Sequence, residues 1–87
     1  MRIDYHKNAL KQFRRLKRVE QIRLFEILKL LENEPLAEQL RNHQLKGKLS
    51  KFRSVSVGGG IRLYYYEKEQ NHLIIAFVAT GYHAQVH

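Results

Sequence analysis

The stretch "FRSVSVGGGIRLYYY", residues 52–66, sets two alternating runs on either side of three glycines. Phe52 to Val57 alternates, and so does Ile61 to Glu67. A period of two marks a half-buried strand. A glycine-rich break between two such runs marks a hairpin turn, because glycine enters the positive-φ region at no steric cost. Gly58–Gly60 does not read as a phosphate cradle, since neither Lys-Ser/Thr nor a helix follows it. Within the second run, Ile61, Leu63 and Tyr65 fall on one side and Arg62, Tyr64 and Tyr66 on the other. The first set belongs to a core. Arg62 is therefore expected on the opposite, open face, flanked by tyrosines.

Downstream, "EKEQN" (67–71) supplies the next turn, and Leu73 to Ala79 is apolar on both sides, as an internal strand is. Gly81 then suits the end of that strand and brings Tyr82 and His83 to the sheet's rim. Upstream, "MRIDY" (1–5) alternates like a short strand. A helix beginning near His6 or Asn8 carries an apolar stripe of Leu10, Phe13 and Leu16. A second, from about Val19 to Glu32, repeats Ile22, Phe25, Leu28 and Leu31 at helical spacing, with Arg23, Glu26 and Lys29 toward water. Pro35 ends it, with Asn33 as its cap. Helices joined by so few residues form an antiparallel hairpin. The fold class is thus α+β: an N-terminal short strand and a helical hairpin packed on one face of a twisted antiparallel sheet, in a single domain spanning 1–87.

The chain of 87 residues has no cysteine, which removes disulfide frameworks, thiol nucleophiles and thiolate metal sites. No apolar stretch approaches the ~20 residues of a membrane span, and the N-terminus has no signal-like apolar segment. A cytoplasmic protein with no membrane partner is the expectation. A formal charge of +8 calls for a polyanionic partner, nucleic acid or an acidic protein. Between Gln39 and Tyr66 the six basic residues Arg41, Lys46, Lys48, Lys51, Arg53 and Arg62 occur without one acid. Lys11, Arg14, Arg15, Lys17 and Arg18 form a second cluster, read first as a solvated helix face.

Taken together, "HQLKGKLSKFRSVSVGGGIRLYYY" and "IIAFVATGYHAQV" resemble the RelE/ParE superfamily of type II toxins, above all the RelE, YoeB and YafQ branches. The resemblance implies a ribosome-dependent mRNA endonuclease acting in the ribosomal A site, silenced by a cognate antitoxin and needing no metal or cofactor. By position it implies that Arg62 contacts the scissile phosphate, that His83 carries a proton, and that His43 is a candidate base. Arg53 aligns with a basic residue of the RelE branch, and Lys46, Lys48 and Lys51 are suited to RNA phosphates. Tyr82 and Tyr64 are suited to stacking on an exposed base. Where YafQ-like toxins carry a further histidine and an aspartate in the hairpin, this sequence has Ser56 and Gly60. A ParE-like gyrase poison and a non-catalytic RNA-binding module are the alternatives. The high positive charge further implies that the antitoxin is acidic.

Overall fold

A computed structural model describes residues 1–80. The central hairpin forms as its alternation predicts: β3 (Arg53–Gly58) pairs antiparallel with β4 (Ile61–Glu69). The turn residues Gly59 and Gly60 have φ of 63° and 80°, and Gly58, where the register slips by one residue, has φ 105°. A type I′ connection requires positive φ at both central positions, so three glycines in a row answer three consecutive backbone demands. The turn is also closely covered. A Cβ on Gly58 would stand 3.2 Å from Cδ of Arg23, and one on Gly59 only 2.8 Å from its Nη1. Arg23 thus lies over the turn, half-buried, instead of reaching into water.

The sheet is five-stranded in the order β1-β5-β4-β3-β2. β5 (His72–Ala79) pairs antiparallel with β4, and β2 is a two-residue edge, His43–Gln44. The expected antiparallel meander forms as β3–β5, and the short N-terminal strand β1 (Arg2–Tyr5) joins it parallel to β5, with Ile3 opposite Leu73 and Tyr5 opposite Ile75. Periodicity reports which face a strand buries but not which neighbour it pairs with. The connection from β1 through two helices allows the parallel orientation, which a tight turn does not.

α1 (Lys7–Arg15) and α2 (Arg18–Asn33) are joined through Leu16 and Lys17. His6 caps α1 by accepting the Asn8 N–H at Nδ1 (3.1 Å), and Glu20 caps α2 by accepting the Lys17 N–H (2.8 Å). Asn33 is the last helical residue and donates to the Lys29 carbonyl. The buried stripe of α2 is Leu24, Ile27, Leu28 and Leu31, packed with Leu40, Val55, Leu63, Tyr65 and Ile75. Ile22 and Phe25, expected inside, are 52% and 54% exposed, and Leu10 of α1 also faces outward. Apolar residues occupy so much of the α2 circumference that spacing alone does not select the arc meeting the sheet. Phe25 instead rests edge-on against Phe13, with ring centroids 5.2 Å apart. Among the described residues, no helix is long and apolar enough to cross a membrane.

At the start of the sheet, Asp4 Oδ2 accepts from His72 Nε2 (2.8 Å) and pairs with Arg2 Nε (2.9 Å). The His72 hydrogen bond, seconded by the Arg2 charge, holds the Asp4 carboxyl below its usual range against an opposing effect of burial. A depressed carboxyl pKa contributes stability above the unfolded value and loses it as pH falls through the folded one. Asp4→Asn is therefore expected to lower the urea midpoint at neutral pH, and the difference from wild type should close below pH 3.8, the ordinary carboxyl value. Gly58→Ala should cost about 1–3 kcal/mol, since alanine at φ 105° is strained wherever Arg23 moves. Urea unfolding of Gly58→Ala in the wild-type and Arg23→Ala backgrounds checks this, and the loss should persist in both.

Candidate functional site

Cross-strand register sorts the sequence-selected residues onto two faces. On the face turned away from the core, Ser56, Arg62 and Ala79 form one row across β3, β4 and β5. His43, Ser54, Tyr64 and Phe77 form the next row, across β2, β3, β4 and β5. His43 and Arg62 therefore share a face, two strands apart, a lateral separation of about 10 Å between backbones. Ser54 lies between them, 1% exposed, and its Oγ accepts from Arg62 Nη1 at 3.4 Å.

The chemistry open to each follows from its partners. Among the described residues the ion pairs are Arg2–Asp4 and His72–Asp4, so no carboxylate neutralises Arg62. Arg62 is half-buried, with one long hydrogen bond to the Ser54 hydroxyl, a setting that leaves its guanidinium donors for a bound oxyanion. His43 is exposed, and its Nδ1 lies 2.9 Å from the Arg41 carbonyl oxygen. A carbonyl oxygen only accepts, so Nδ1 carries the proton in the neutral ring, and the Nε2 lone pair is left to take one. Arg41 itself sits at φ 47°, which turns its carbonyl back toward the ring.

Tyr64 is stacked on Phe77, with centroids 4.4 Å apart and planes 20° from parallel. This pair floors a cleft of about 920 Å³, walled by Arg15 and Leu16 on one side and Leu45 and Leu49 on the other, and reaching Ala79, the register partner of Arg62. α1 builds the first wall because β1 ends at Tyr5 and leaves the rest of β5 without a neighbour. The helix closes that edge: His6 N–H donates to Ile75 O (2.9 Å), and Gln12 Oε1 accepts the Val78 N–H (2.7 Å).

Phe77 did not stand out in the sequence. Straight alternation from Leu73 and Ile75 assigns it to the core, but β5 holds one extra residue, Ala76, between the pairs Tyr65–Ile75 and Tyr64–Phe77. The bulge sends Phe77 to the open face and Val78 into the core. Two polar residues following the strand pattern, Ser54 and Ser56, were the visible signal for this face.

The other sequence-selected residues divide. Lys51 joins the open face, its Nζ 4.6 Å from the Tyr66 centroid and 5.2 Å from that of Phe52. Lys46 and Lys48 are exposed on the turn that follows β2. Arg53 is separated from Arg62: it pairs across with Gln44 and Tyr65, on the core side, and its Nε donates to Asn42 Oδ1 at 2.7 Å. Asn42 in turn donates to the Tyr65 hydroxyl (2.7 Å) and the Pro35 carbonyl (3.0 Å). Tyr82 and His83 lie outside the described residues. Arg53→Ala, which strands Asn42 Oδ1, should cost about 1–3 kcal/mol. Arg62→Ala, whose one side-chain hydrogen bond is long, should cost less than half as much, and urea denaturation of the two variants compares them directly.

Among curated proteins, no sequence matches this one. Several solved structures share its fold. A copper-bound mutant toxin from Helicobacter pylori is 25% identical, with a TM-score of 0.76 over 100% of this chain and 99% of that one. YafQ from E. coli is 22% identical, with a TM-score of 0.76 over 98% and 99%. The archaeal RelE of a RelE–RelB complex from Pyrococcus horikoshii is 21% identical, with a TM-score of 0.74 over 92% and 93%. The family model for YafQ, a bacterial toxin of type II toxin–antitoxin systems, matches residues 1–87 in full. Matched along its whole length and built of two helices over a mixed sheet, the chain belongs to the YafQ family of type II toxins.

Proposed function

We propose that this toxin is an endoribonuclease that cuts mRNA in the ribosomal A site and thereby stops translation. The observation that carries the reading is the shared face of Arg62 and His43, with no carboxylate paired to either among the described residues. The substrate supplies its own nucleophile. His43 Nε2 takes the proton of a ribose 2′-OH, the oxygen bonds to the adjacent phosphorus, and the bond from phosphorus to the 5′-oxygen breaks. His83, assigned by family resemblance, protonates that departing oxygen. The products are a 2′,3′-cyclic phosphate and a 5′-OH end, and the route needs no metal. Arg62 stabilises the added negative charge on the pentavalent phosphorus. Tyr64 offers a ring to an unstacked base, and Tyr82, assigned like His83, offers a second. Lys46, Lys48 and Lys51 contact phosphates, and Arg53 acts in support by holding Asn42 and the β2 end of the sheet. A base and a phosphate-binding arginine set two strands apart require a surface that orients the RNA, and the ribosome is that surface.

The partner that silences the toxin is an acidic antitoxin, matched to a chain of charge +8. Among the similar structures are a RelE–RelB complex from Pyrococcus horikoshii and a YoeB–YefM toxin–antitoxin complex from Staphylococcus aureus. Arg62→Ala, His43→Gln and His83→Gln are each expected to slow cleavage about 10²- to 10⁴-fold while leaving the protein folded. Mapping of transcript 5′ ends after induction, with growth followed in parallel, is the measurement. Cuts inside translated codons that vanish with Arg62→Ala support the reading. Growth arrest with DNA breaks and intact transcripts overturns it in favour of a gyrase-directed toxin.

A further inference from the structure

A second groove, of about 640 Å³, runs along the open face beyond the Tyr64–Phe77 stack, on the side away from Arg62. One wall is α1, which presents Lys11 and Arg15; four residues apart, they share one side of the helix. The facing wall carries Lys51, and the floor is Phe52, Tyr66 and Phe77. Among the described residues no acid lines it. The Lys51 ammonium is held over two of the floor rings, and the Phe52 ring meets Tyr66 and Phe77 edge-on, at 5.8 and 6.0 Å between centroids. All three floor rings remain half-exposed.

We infer that this groove is a binding site for single-stranded RNA flanking the cleaved bond, with Lys11, Arg15 and Lys51 on phosphates and Phe52 and Tyr66 under bases. The inference rests on the endoribonuclease reading for its substrate, but its residues are distinct from the acid, the base and Arg62. Cations on both walls above an aromatic floor match a chain that is anionic along its backbone and flat and apolar at its bases. An acidic peptide accounts for the cations and leaves the rings without a role. Tyr66 is four residues along β4 from Arg62, about 14 Å at strand rise, too far to touch the reacting phosphate and suited to its neighbours. The path between the two is continuous, because Arg15 and Phe77 line both this groove and the cleft that reaches the register partner of Arg62. The helix cluster that read as a solvated face thus divides, with Lys11 and Arg15 turned to the site.

The test uses the full chain and a fluorescein-labelled, fully 2′-O-methylated RNA decamer, which binds but has no 2′-OH to attack. Anisotropy titrations across a salt series should show the Lys11→Ala/Arg15→Ala double variant binding at least tenfold more weakly at low salt. Its log–log salt slope should be shallower by about 1.4, for two lost phosphate contacts. Phe52→Leu should weaken binding about fivefold or more with the slope unchanged. Wild-type affinity and slope in the double variant overturn the inference, as does a wild-type protein that does not bind the decamer. Displacement of the decamer by poly-glutamate, together with a neutral Phe52→Leu, overturns it in favour of a charge-only site for an acidic protein. None of these outcomes depends on cleavage: a wild type that cuts codons while the double variant binds normally loses only the groove, and one that binds but cuts no mRNA loses only the enzyme.

Discussion

The register between β4 and β5 is the constraint on which the other features of the molecule depend. On one side it stacks Leu63, Tyr65, Ile75 and Val78 into the core beneath α2. On the other it lines up Arg62, Tyr64 and Tyr66 with Ala79, Phe77 and Ile74. Both assignments hold only because Ala76 is accommodated as an extra residue, for a one-residue slip exchanges the faces of every side chain beyond it. Without the bulge Phe77 would take the core position that Val78 now fills, Val78 would turn outward, and Tyr64 would lose the ring on which it is stacked. The same small irregularity serves packing and site at once.

The second organising constraint is the unfinished edge of β5. The first strand is short and covers β5 only as far as Ile75, so the amides beyond need other partners. α1 meets that need through Gln12 and the His6 backbone, and in doing so stands beside the open face as a wall. A helix recruited to satisfy a strand edge thereby brings Lys11 and Arg15 across from Lys51. Edge protection and groove formation have one cause.

Charge follows a similar division. Glu20 caps a helix and Asp4 ties the two N-terminal strand ends together, while the basic residues around the groove have, among the described residues, no acidic neighbour lining it. These two acids are used locally, at a helix start and at strand ends, and the surplus positive charge includes Lys11, Arg15 and Lys51 on the groove side. Such a distribution adds self-repulsion to the folded state and raises the local concentration of anions at that side. Arg23 and Arg53 show that a basic residue in this chain is not always part of that surplus. One lies over the glycine turn and the other holds Asn42 at the sheet's far edge.

The sequence by itself determined the elements and the faces wherever local chemistry is sufficient. Three consecutive glycines imposed the hairpin, strand parity set Arg62 and Tyr64 opposite Leu63 and Tyr65, and the lack of acids from Gln39 to Tyr66 marked the electropositive side. The family likeness was legible there too, since it rests on contiguous residues. What only the tertiary structure decided is what depends on contacts between distant segments. The parallel partner of β1, the bulge that turns Phe77 outward, the arc of α2 that meets the sheet, and the withdrawal of Arg53 to Asn42 each have alternatives that satisfy the same local pattern. Periodicity cannot rank those alternatives, because strand pairing and helix rotation are selected by the volume and polar partners that the rest of the chain presents.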